Sequence, residues 1–150
     1  YVLDKDSEKD AIVDLVKNKL NYKTFEVFPS KRLGSGKVTN ENVHDFSYPN
    51  PAKWLRAFMD AKFVITDSFH GTVFSILFNI PFITIGNLNR GIARFESLLN
   101  LFGLSERFIS KYSSINLEQI ISKEIEWKNI NRTLKEEQSK ALNFLKTHLN

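Results

Sequence analysis

A chain of 150 residues with 42% apolar residues, 13 phenylalanines and no long charge block is long enough for about one globular domain with its own core. It contains no cysteine, which excludes disulfides, thiolate zinc sites and cysteine nucleophiles; its three histidines, His44, His70 and His148, fall in no metal-ligand spacing. The net charge of +4 is spread along the chain and carries no nucleic-acid signature, and no apolar run approaches the roughly 20 residues that span a bilayer.

Tyr1 to Leu3 reads as the end of a strand entered midway, without an initiator Met or a signal peptide, so the chain is expected to be a fragment of a longer protein. Ser7 is placed to cap a first helix, with Asp10 in the capping-box position and Ala11, Ile12, Leu15, Val16 and Leu20 at helical spacing. Thr24 to Phe28 reads as a short strand ended by Pro29. From Ser30 to Pro51, Gly34, Gly36, Pro49 and several asparagines mark loops or a small element. Pro51 suits the first turn of a helix expected to carry Trp54, Leu55, Phe58 and Met59 inward.

Lys62 to Thr66, centred on Phe63-Val64-Ile65, predicts a fully buried parallel strand. After the turn from Asp67 to Thr72 comes a helix apolar nearly all round, Val73 to Phe78, stopped by Asn79 and Pro81. Pro81 to Ile85 is the next strand and Gly86 to Asn89 a loop. Gly91 to Phe102 reads as a helix ended by Gly103. Phe108-Ile109 is a candidate short strand, and Leu117 to Ile121 begins a further helix. The last helix, roughly Arg132 to Leu149, carries Leu134, Ala141, Leu142, Leu145 and Leu149 on one stripe. Alternating strands and helices argue an α/β fold, one mostly parallel sheet with helices on both sides, over residues 1–150 as a single domain.

In an open parallel sheet, ligands bind beyond the carboxyl ends of the strands. The turn from Thr66 to Thr72 stands at such an end and leads straight into a buried helix, whose first N–H groups lack internal partners and whose N-terminus favours an anion. Ser68 and Thr72 offer hydroxyls there, and Gly71 lets a ligand or a neighbouring backbone approach. His70 offers an imidazole that can donate to an anion or move a proton. A capped helix with an internally bonded histidine explains the same spacing equally well. Asp67 could orient His70 or act as a base, but reads more readily as a cap for the helix. Arg90 and Arg94, four apart on one helical face beyond the next strand, are candidate anion clamps or else solvated surface residues.

Trp54-Leu55, Ala61-Lys62-Phe63-Val64-Ile65-Thr66-Asp67-Ser68-Phe69-His70-Gly71, Val73-Phe74-Ser75-Ile76, Phe78-Asn79, Pro81-Phe82-Ile83, Arg94-Phe95-Glu96-Ser97-Leu98-Leu99 and Gly103-Leu104 together resemble the signature of the polysaccharide pyruvyl transferase family. The resemblance is close over about the middle third of the chain and covers the flanks in outline. It implies the C-terminal, Rossmann-like half of a GT-B-like two-domain enzyme of surface (exopolysaccharide) biosynthesis, with the N-terminal half missing. It also implies transfer of pyruvate from phosphoenolpyruvate, the donor substrate, to a sugar hydroxyl pair of a glycan acceptor, forming a ketal, with no cofactor. The setting implied is cytoplasmic, at most peripheral to the membrane, and the isolated half is expected to be inactive. His70 matches the family histidine at the donor site. Some members carry Arg two residues before it; here Ser68 stands there and cannot make a bidentate clamp. Arg94, inside the resembling string, is the preferred replacement. A GT-B glycosyltransferase half binding a nucleotide sugar and a non-catalytic α/β module remain as alternatives.

Other motifs are weaker. Gly34-Ser35-Gly36-Lys37 is short of a phosphate loop and has Val38 where a hydroxyl would be needed. His44 and Asp45 read as solvated loop residues and His148 as a partner of its helix end. If the other half is absent, the C-terminal stripe is expected to leave an exposed apolar patch.

Overall fold

Three short parallel strands carry the core: β1 (Val64–Thr66), β2 (Phe82–Ile85) and β3 (Phe108–Ile109), in spatial order β1-β2-β3. Val64 pairs with Phe82, Thr66 with Thr84 and Ile85 with Ile109. The structure is a computed structural model that describes residues 1–31, 33–86, 91–110 and 114–149. Around the sheet lie α1 (Ser7–Leu20), α2 (Pro51–Asp60), α3 (Phe69–Leu77), α4 (Ile92–Leu101), α5 (Ser114–Ser122) and α6 (Trp127–His148), with a 3₁₀ turn at Val43–Phe46 in the otherwise irregular segment before α2.

The two-residue alternation of the strands divides the core in two. Val64 and Phe82 join Phe58 of α2, Ile76 of α3, Leu99 of α4 and Ile130 of α6 on one face. Ile83, Ile85 and Ile109 join Ile12 and Val16 of α1 and Leu117 and Ile121 of α5 on the other. Helices therefore cover both faces, as parallel strands buried on both sides require. Each fully buried large apolar side chain, such as Phe82 or Ile83, contributes about 1.5–3 kcal/mol relative to exposure.

Several local expectations are corrected. The first helix is capped by Asp6, whose carboxylate accepts from the Lys9 N–H at 2.9 Å, and Ser7 is already its first residue. Thr24 to Phe28 joins no ladder. The open edge of β1 is met instead by the N-terminal segment: the Tyr1 nitrogen donates to the Ile65 carbonyl at 2.5 Å and Thr66 Oγ1 donates to the Tyr1 carbonyl at 2.7 Å. Tyr1 to Leu3 lies along the sheet without being counted in it, and Phe28 stacks on the Tyr1 ring. Met59 is 53% exposed, because one turn of α2 cannot turn both Phe58 and its neighbour inward. The last helix begins five residues before Arg132, at Trp127, which packs with Ile130 against the core.

Other expectations match closely. Asn50 caps α2 with Pro51 as its first residue, Gly103 follows α4 at φ +67°, and β3 is the Phe108-Ile109 pair. The far end of α6 is exposed, with Leu142, Phe144, Leu145 and Leu149 all in solvent. Among the described residues no helix is long and apolar enough to cross a membrane.

Candidate functional site

β1 ends at Thr66 and, after the two residues Asp67 and Ser68, α3 begins, so the turn between them sits at the carboxyl edge of the sheet. Ser68 caps the helix in extended conformation. Its Oγ faces the Gly71 N–H at 3.4 Å, and its carbonyl accepts from the Thr72 N–H at 3.0 Å and the Thr72 hydroxyl at 3.1 Å. The Ser68 N–H donates to Thr66 Oγ1 at 3.1 Å. The cap is thus Ser68 rather than Asp67.

The helix lies very close to the strand. A Cβ on Gly71 would stand 2.3 Å from Thr66 Oγ1, so the glycine is required by the strand beneath it, independently of any ligand. Thr72 and Thr84 are fully buried and share a 2.9 Å hydroxyl contact that ties α3 to β2. Ser75 donates to the Gly71 carbonyl at 2.8 Å. A buried hydroxyl without a partner would cost about 1–3 kcal/mol, and none of these lacks one. The hydroxyls of Ser68 and Thr72 are therefore already engaged within the fold.

Asp67 is fully buried and faces away from this helix start. Its carboxylate accepts from the Leu3 N–H at 2.6 Å, the Asp4 N–H at 3.1 Å and the Lys9 ammonium at 3.1 Å. Lys9 also bonds the Asp4 carbonyl and pairs with Asp6 at 3.3 Å. Burial alone would lower the Lys9 pKa, but the bond to Asp67 and the charge of that carboxylate, reinforced by Asp6, hold it above the ordinary lysine value. Asp67 is a tie between the N-terminal segment, α1 and β1.

His70 differs from its neighbours: it is exposed, as the second residue of α3. Among the described residues neither its ring nor the N–H groups of Phe69 and His70 have a hydrogen-bond partner, so the helix start presents two donors and an imidazole together. Arg94, in the first turn of α4, lies with its guanidinium carbon 5.2 Å from the Phe69 ring centre and 5.5 Å from that of Phe95. The Phe69 ring in turn meets His70 edge-on at 6.2 Å and Phe95 at 5.7 Å. Phe69 is a platform that meets both a cation from α4 and the imidazole of α3. A guanidinium over an aromatic face at an exposed site gains about 0.5–1 kcal/mol, enough to bias its position. Arg90 and the loop residues 87–89 lie outside the described residues.

Of the residues singled out in the sequence, the fold gathers His70, Ser68, Gly71, Thr72 and Arg94 at one edge. The contacts of Lys9, Thr66, Thr84 and Phe69 were not foreseen there. A lysine on an amphipathic helix gives no sign that it will be buried, and the threonines matter through pairing across elements. Phe69 alone had a signal: it adjoins His70 and begins a helix whose other aromatic residues pack inward.

Comparison with known proteins adds the family. Neither a curated protein nor a solved structure matches the chain. The family model of polysaccharide pyruvyl transferase matches residues 2–90, more than half of the chain. The match begins far upstream of Trp54 and includes the whole turn from Thr66 to Thr72 with His70; Arg94 lies beyond its end. A transferase family acting on polysaccharides accords with an exposed imidazole and open backbone donors at a strand's carboxyl end. The chain belongs to the polysaccharide pyruvyl transferase family.

Proposed function

We propose that this chain is the C-terminal, Rossmann-like half of a GT-B-like pyruvyl transferase of surface polysaccharide biosynthesis, with phosphoenolpyruvate as donor and a glycan hydroxyl pair as acceptor. The observation that carries the reading is the exposed His70 at the start of α3, within the family match and beside the open N–H groups of Phe69 and His70. Arg94, held over Phe69, supplies the cation that Ser68 cannot.

In this reading the phosphate or carboxylate of the donor is met by the first-turn N–H groups of α3 and by Arg94. An anion gains about 0.3–1 kcal/mol from the helix end alone, and about 1.5–3 from each charge-assisted hydrogen bond. Protonated His70 delivers its proton to the methylene carbon of phosphoenolpyruvate, making the methyl group and leaving an oxocarbenium-like C2. One sugar hydroxyl attacks C2 and loses its proton. Phosphate then departs with the bridging oxygen, and the second hydroxyl closes the ketal at C2, losing its own proton. Donor and diol thus give ketal and inorganic phosphate. Ser68, Gly71 and Thr72 act by shaping the helix start, and Asp67 by anchoring the strand that precedes it.

Amide NMR of the chain, titrated separately with phosphoenolpyruvate and with a nucleotide sugar, tests the donor. Selective shifts at Ser68 to Thr72 with phosphoenolpyruvate, lost in His70→Ala, are expected. Shifts with the nucleotide sugar alone would replace this reading by a glycosyltransferase. In the full two-domain enzyme His70→Ala should lower turnover by about 10²–10⁴-fold, the usual contribution of a placed proton donor.

A further inference from the structure

A cavity of about 360 Å³ opens on the other flank of β1, between α1, α2 and the Tyr22 to Val27 segment. It includes none of the residues from Thr66 to Thr72 or Arg94. Its volume falls at the lower end of the roughly 300–1,000 Å³ that hold small ligands. Its inner wall is apolar, with Val13, Val16 and Leu20 of α1 facing Ala57 of α2 and Phe63. Its charged groups are unevenly paired. Glu26 is held by Lys5 at 2.5 Å, Asp60 by Arg56 at 2.6 Å, and Lys9 by Asp67. That leaves Asp10 against Lys17, Lys23 and Lys62, three exposed ammonium groups that make no ion pair among the described residues.

We propose that this cavity is a second ligand site, for a single-chain amphipathic anion: an apolar chain lies between α1 and α2 and a phosphate or carboxylate head meets the lysine rim. Two independent features ask for the two ends of such a molecule. A purely polar ligand leaves the valine and leucine wall uncovered, whereas a neutral apolar one leaves the three ammonium groups unanswered. The site goes beyond pyruvyl transfer and does not rest on it.

The Thr24 to Val27 segment forms one wall of the cavity. It carries residues suited to a strand but stands off the sheet edge, with Phe25 60% exposed. Were it to displace Tyr1 from the edge of β1 and pair there, the space would close, so its amide protection is a direct check.

The test is amide NMR of the full 150-residue chain with octyl phosphate, octanoate, butyl phosphate, 1-octanol and inorganic phosphate as separate probes. Octyl phosphate should give saturable shifts at Val13, Leu20 and Phe63. Each buried methylene strengthens binding by about fourfold, so octyl phosphate should bind at least about tenfold tighter than butyl phosphate. Octanoate binding at the same amides supports the site equally, and its affinity against octyl phosphate names the preferred head. Lys17→Gln with Lys62→Gln, both at exposed positions, should weaken octyl phosphate by about threefold or more, as should added salt. Ala57→Leu, which fills the cavity from α2, should abolish binding. Equal affinity for 1-octanol, shifts confined to residues 142–149, the same response to inorganic phosphate, or strand-like protection of Thr24 to Val27 would each overturn the proposal.

Discussion

The turn leaving β1 and the far half of α6 answer the same demand in opposite ways. At the turn, polar residues are buried and each is bonded: Thr66, Asp67 and Thr72 to partners from other parts of the fold, Ser68 and Ser75 within the turn and its helix. Along the far half of α6, apolar residues are in water: Leu142, Phe144 and Leu145 join neither core cluster, and Phe144 stacks only on His148 of the same helix among the described residues. The first region is over-determined, so its backbone holds two open N–H groups and an exposed imidazole in place. The second is held by its near end alone, through Trp127 and Ile130. Rigidity at the candidate site therefore comes from the residues beneath His70, and activity and stability should separate between His70 and its neighbours.

The comparison would break first at Asp67. Asp67→Ala leaves the Lys9 ammonium buried without its carboxylate and strips two N–H groups of their acceptor, so unfolding in urea should show a loss of about 3–5 kcal/mol. Ile130→Ala should cost about 2–5 kcal/mol, since it opens a cavity where α6 meets the core. Gly71→Ala drives a methyl into Thr66 and should cost about 1–3 kcal/mol, with part recovered in the double variant carrying Thr66→Ala. A loss in Gly71→Ala within experimental error would mean that helix and strand are not as close as this.

The Lys9–Asp67 tie also predicts a pH dependence. Because the Lys9 pKa is raised in the folded protein above its ordinary value of 10.5, its stabilisation is complete below that value and is lost as pH rises through the folded one. Burial holds the Tyr1 ammonium below its ordinary value, so the urea midpoint should hold steady only from about pH 8 to about pH 10 and fall above that, and this fall should be shallower in Asp67→Ala. The smallest effects should come from exposed positions: His70→Ala and Leu145→Gln should each move stability by no more than about 0.5 kcal/mol. A larger loss in Leu145→Gln would show that the far half of α6 has a partner.

Much of the architecture was legible because its signals are local. Phe63-Val64-Ile65 and Phe82 to Ile85 are short apolar runs that suit a strand covered on both faces; β1 starts within the first, at Val64, and β2 is the second. Pro51 and Gly103 mark helix ends through their own backbone chemistry. The Thr24 to Phe28 expectation failed for a non-local reason: a strand needs a free neighbour, and the edge of β1 is occupied by Tyr1. Asp6 displaced Ser7 as cap because two adjacent residues can both cap, and the one whose backbone stays extended does so.

At the candidate site the division is similar. Residue types and their order single out the turn and His70 as the candidate place for chemistry, because a strand end followed directly by a helix must present open N–H groups whatever surrounds it. Which side chains remain available there was decided by tertiary packing. Thr72 is drawn to Thr84 and Asp67 to Lys9, while Arg94 is carried to Phe69 by α4. Each of these depends on a partner from a separate element, and spacing along one segment holds no record of which element will lie against it.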